Sequence, residues 1–116
     1  MCLLDSDRPH ALFPYPVYWG LIEFTYRGDP KVWRESFVEL VFDIGGGERR
    51  FRFFAPTRAG MAGRLPIRTG VLVLDITARQ WEGVSVMVCP VEPMQNDTVE
   101  FVAADVVEVN EHGDPV

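Results

Sequence analysis

The chain has 116 residues, 47% of them hydrophobic, 12% aromatic and 24% charged, with a formal net charge of −6. That length makes one domain with a real core, the charged fraction excludes wholesale disorder, and the net acidity disfavours nucleic acid or anionic membrane as a partner for the whole surface. No window approaches the ~18 apolar residues of a membrane span, and Asp5 and Asp7 stand where a signal peptide needs a basic start. The expectation is a cytoplasmic protein without membrane contact.

Residues 1–16 hold Pro9, Pro14 and Pro16 and no sustained period, which reads as an N-terminal arm anchored by Leu12, Phe13 and Tyr15. The domain proper spans 17–110. Its first strand is read over 17–27 (VYWGLIEFTYR), with Tyr18, Ile22, Phe24 and Tyr26 on the more apolar face and a turn at Gly28, Asp29 and Pro30. Asp29 and Pro30 suit the start of a helix, so one helical turn is allowed near 30–35. Residues 37–44 alternate, Val38, Leu40, Phe42 and Ile44 facing one way and Glu39 and Asp43 the other. A run of three glycines, 45–47, leads into 48–54 (ERRFRFF), where Arg50 and Arg52 alternate with Phe51 and Phe53. Two alternating runs about a glycine turn predict an antiparallel hairpin.

Residues 55–70 (APTRAGMAGRLPIRTG) read as a long mobile loop with Arg58 and Arg64 exposed, because small residues leave little to bury. Strands are expected over 71–77, 84–89, 98–104 and 105–109, with turns at 80–83 and 94–97 and a tail over 111–116. Six or seven short strands without βαβ alternation predict an all-β antiparallel barrel or sandwich. Phe24, Val38, Leu40, Phe42, Phe53, Leu72, Leu74, Ile76, Val86, Val88, Val99 and Phe101 are expected to form one continuous core.

Most catalytic chemistries lack their parts. His10 and His112 lie in the arm and the tail, away from the rigid support that a general base needs. Ser6, Ser36 and Ser85 stand in no nucleophile-elbow sequence. Cys2 and Cys89 have no framework or zinc spacing; a disulfide between them is possible but an odd choice for a secreted scaffold, and Cys89 reads as an inert core thiol. No dinucleotide fingerprint or phosphate-binding loop occurs, so neither cofactor nor metal is expected. Glu23, Glu39, Asp43 and Asp75 could face each other as an acid/base pair, but alternation places such residues on a solvated face.

The charge is uneven. Arg49, Arg50, Arg52, Arg58, Arg64 and Arg68 occupy 49–68 without an acid, whereas 69–116 holds Arg79 as its one base beside nine acids. Arg50, Arg52, Arg58, Arg64 and Arg68 are therefore candidate partner- or anion-binding residues through guanidinium forks. The competing reading neutralises them in cis on this chain's own acids. Trp19, Trp33 and Trp81 could include an exposed interface anchor. The resulting expectation is a non-catalytic binding module whose partner is another protein or a second copy, of inhibitor or immunity type if the acidic strands engage it. Nucleic-acid or phosphate-ligand binding through the arginines is the alternative, and a carboxylate-based enzyme ranks third.

Overall fold

The computed structural model describes residues 6–28, 35–68, 70–91 and 97–116, and of Arg58, Ala59 and Ala62 the backbone alone. The possible helical turn near 30–35, the polar turn near 94–97 and Trp33 lie largely or wholly outside the described residues. Among the described residues nine strands form two antiparallel sheets: β1 (Arg8–Pro9), β2 (Gly20–Arg27), β3 (Phe37–Asp43), β4 (Glu48–Phe54), β5 (Thr57–Ala62), β6 (Val71–Asp75), β7 (Val86–Pro90), β8 (Thr98–Ala103) and β9 (Asp105–Val109). One sheet runs β2-β3-β4-β9 and the other β1-β6-β7-β8-β5, so the fold is an open sandwich.

The hairpin forms as its alternation dictates. Val38 pairs with Phe53 and Leu40 with Phe51 across the glycine turn, and all four side chains are fully buried. Gly45 takes a φ of +94°, a conformation that side chains disfavour, and its N–H is accepted by Asp43 Oδ1 at 2.9 Å. Ile44, expected inside, is exposed because the turn lifts it off the sheet. In β2 the simple even-numbered face fails. A bulge between Leu21 and Glu23 reverses the alternation, so Leu21 opposes Phe42 and Phe24 opposes Leu40. Leu21 is buried, Phe24 packs against the core, and Tyr18 and Tyr26 are exposed.

The core divides in two, which corrects the expectation of one continuous cluster. Between the sheets lie Val38, Leu40, Phe42, Phe53, Val86, Val88, Val99 and Phe101, with Val71 and Val73 of β6. Leu72, Leu74 and Ile76 form a second cluster with Met87 and Cys89. The reason is the two-residue period: Val71 and Val73 take the inner face of β6, so Leu72 and Leu74 must take the outer one.

The arm is woven into the sandwich. β1 pairs with β6, Arg8 opposite Asp75, and the His10 N–H donates to the Val73 carbonyl. Phe13 then enters the core, its ring centroid 4.4 Å from that of Phe51, a burial worth about 1.5–3 kcal/mol. Leu12 and Tyr15 remain exposed, so Phe13 alone of the three expected anchors is buried.

Four further readings change. Residues 57–62 are the edge strand β5, bulged between Thr57 and Gly60 and paired with β8, where a loop was expected. β6 ends at Asp75 and is followed by a 3-10 turn over Thr77–Arg79. The tail folds back, Val109 bridging Pro115 and the Val116 N–H donating to the Glu108 carbonyl. Cys89 is disulfide-bonded, not a free thiol, and the chain's one other cysteine is Cys2. No helix among the described residues is long and apolar enough to cross a membrane.

Candidate functional site

Two residues of the arginine segment, Arg50 and Arg52, sit on the outer face of the β2-β3-β4-β9 sheet. Alternation turns Phe51 and Phe53 inward, so Arg50 and Arg52 point out, where β3 supplies Glu39 opposite Arg52. Arg50 Nη1 donates to Glu39 Oε2 at 2.7 Å and Arg52 Nε to Oε1 at 3.0 Å. Burial would raise the pKa of Glu39, but the bonds from Arg52 and Arg50 outweigh it and hold the carboxyl below its ordinary value. Arg49 forms a fork on Glu108, at 3.1 and 2.6 Å, with its guanidinium 4.9 Å from the Trp19 ring centroid. That bond depresses Glu108 and raises Arg49. A polar hollow of about 510 Å³ opens there, lined in part by these already paired groups.

The other candidate arginines lie apart. Arg64 is exposed and forms no ion pair among the described residues; its backbone N–H donates to Asp97 Oδ1 at 3.0 Å. Arg68 is also exposed, its guanidinium against the backbone of Gly20. The Arg58 side chain is outside the described set. The four candidates whose side chains are described thus do not converge on one site.

Nor do the carboxylates pair with each other. Asp43 accepts from Gly45 in the hairpin turn, and Asp75 accepts from the Thr77 N–H and hydroxyl at the 3-10 turn, bonds that lower its pKa. Glu23 is mostly exposed, 3.8 Å from Arg50. Among the described residues no group of three or more His, Cys, Asp or Glu could hold a metal.

A different surface is both concave and apolar. A groove of about 730 Å³ opens beside the edge strand β5, lined by Met61, Trp81, Val84, Met87, Phe101 and Val102. Met61 is 39% exposed and Trp81 46%, so both walls present apolar surface to solvent. Trp81 is held from beneath. The Arg79 guanidinium lies 4.9 Å from its ring centroid, and Arg79 is itself clamped by Asp7, with Nε donating to Oδ1 at 2.9 Å and Nη2 to Oδ2 at 2.5 Å. This pair is buried, the side chains 6% and 0% exposed, and the bond to Asp7 raises the Arg79 pKa further. The charged residues lining the groove are Glu82 and Glu100, both exposed and neither ion-paired among the described residues. Thr98 Oγ1, also in the lining, is buried without a hydrogen-bond partner.

Of the three tryptophans weighed as anchors, Trp81 is the one exposed among the described residues, while Trp19 packs on the core. No sequence signal assembles the groove, because its walls come from 57–61, 81–87 and 98–102. No family model, curated protein or solved structure matches this chain.

Proposed function

We propose that this domain is a non-catalytic protein-binding module that docks its partner in the groove beside β5. The observation that supports it best is the pair of exposed anchors, Trp81 and Met61, on the walls of one cavity. Tryptophan is enriched among the residues that dominate interface energies, and methionine adapts its shape to what it meets. The Asp7–Arg79 clamp orders Trp81 in advance, which cuts the entropy lost on docking.

The arginine alternative is less well supported. Arg49, Arg50 and Arg52 already direct their forks at Glu108 and Glu39, and a bound phosphate would have to displace those carboxylates. The carboxylate-enzyme reading needs two acids facing one cavity with separated pKa values, whereas Asp43, Asp75 and Glu39 are each engaged locally. A cytoplasmic location was expected from the acids at Asp5 and Asp7 and the lack of a long apolar run; a disulfide at Cys89 favours an oxidising compartment instead.

The test is site-directed photo-crosslinking in native cells. A benzophenone side chain at Met61 should give one discrete protein adduct, lost when Trp81→Ala is added. The same probe at Ile44, exposed at the hairpin turn, should not give that adduct. Equal adducts from both positions, or none from Met61, would overturn the reading.

A further inference from the structure

We infer that the occupant of the groove is a basic, extended peptide segment of a partner protein, with one apolar side chain seated between Met61 and Trp81. The inference rests on the protein-binding reading and adds the partner's chemistry. Three observations carry it. The lining has two charged groups, Glu82 and Glu100, both carboxylates and both exposed, within a chain of net charge −6. Carboxylates rimming an apolar slot favour lysine or arginine flanking an apolar residue, and they speed encounter with a cationic partner. The groove lies over neighbouring strands of one sheet, its lining drawn from β5, β8 and β7, so an extended chain laid across them spans it from Gly60 to Trp81. The groove is also open along its floor at Gly60, which pairs with Glu100: a Cβ built there meets nothing within 4 Å.

Gly60 makes the idea testable without damaging the fold. A side chain at that position has room and replaces a glycine that weakens a strand, yet it projects into space that the peptide needs. The probe is a displayed library of random dodecapeptides, selected against the parent domain and against Gly60→Leu. The expected result is enrichment of net-positive peptides with a central apolar residue, lost on Gly60→Leu while thermal stability is unchanged or higher. The same peptides should bind Glu82→Gln/Glu100→Gln about three- to tenfold more weakly at low salt, as rim ion pairs of modest strength imply. This second variant also serves should Gly60→Leu fail to fold.

Enrichment of neutral or acidic peptides, still lost on Gly60→Leu, would overturn the basic partner and leave the protein-binding groove standing. Enrichment indifferent to Gly60→Leu and to the glutamate changes, or no enrichment, would overturn both. A sedimentation mass that rises with concentration and reverts in Gly60→Leu would identify a second copy as the occupant and overturn the basic partner.

Discussion

Asp7 and Arg79 are separated by 72 positions and meet in a bidentate pair with side chains 0% and 6% exposed. Removing one member strands the other as a buried charge, so Arg79→Ala should cost about 3–5 kcal/mol in urea melts. A paired replacement, Asp7→Leu with Arg79→Met, should cost far less than the two single changes together. A single-variant loss below ~1 kcal/mol would mean the site admits water. The arginines of 49–68 should divide by the same criterion. Arg50→Ala or Arg52→Ala weakens the hold on Glu39, whose side chain is 13% exposed, and should cost about 1–3 kcal/mol. Arg64→Ala, at an exposed site with no ion pair among the described residues, should shift stability by less than ~0.5 kcal/mol. Neutralisation in cis was the competing reading of the sequence, and the hairpin register sets Glu39 opposite Arg52, but the Asp7–Arg79 pair could not be read from it. Arg79 stood out as the one base among nine acids, but composition points it at its neighbours, and its partner lies in the arm.

Among the elements, the β3–β4 hairpin was legible in all but Ile44, since a two-residue period on both sides of a glycine run leaves one register that buries Phe51 and Phe53. β6 was half legible. Its run VLVLD is buried at every position before Asp75, and a continuous apolar run implies cover on both faces. It does not say which residues share a face with which neighbour, and Leu72 and Leu74 belong to the outer cluster. Leu74→Ala should therefore cost about 2–5 kcal/mol through lost contacts and a residual cavity, although Leu74 lies outside the cluster between the sheets. A cost below ~0.5 kcal/mol would show that the outer cluster contributes nothing to stability. β5 was missed for the opposite reason. TRAGMA has neither alternation nor β-branched residues after Thr57, and its pairing with β8 supplies what propensity lacks.

At the scale of the whole molecule the groove was illegible because three distant segments build it, whereas an antiparallel barrel or sandwich was foreseen from strand count and punctuation alone, the choice between them being left to the structure. Folding also displaces several titrations in one direction. Burial pushes His10 below its ordinary 6.5, against the opposing pull of Asp75 and Asp105. Glu39 and Glu108 sit below 4.5 and Asp75 below 3.8, held there by their hydrogen bonds. In each case the unfolded chain binds a proton more readily than the folded one, so stability rises with pH through the window. All four contributions are present above pH 6.5. Acidification removes that of His10 first, between 6.5 and its depressed value, and those of the carboxylates below 4.5. Relief of repulsion among the excess acids works the other way on the route down, so the shape of a single melt series does not isolate His10. A difference does. His10→Gln keeps the same acids, and the shared repulsion cancels when its urea-melt stability is subtracted from the parent's at each pH. The parent's advantage over His10→Gln should be largest above about pH 7 and shrink toward pH 5, with no further change as the carboxylates titrate. A difference flat from pH 8 to 5, or one that grows on acidification, would mean that His10 keeps its charge in the folded arm and that its burial beside β6 is looser than the structure has it.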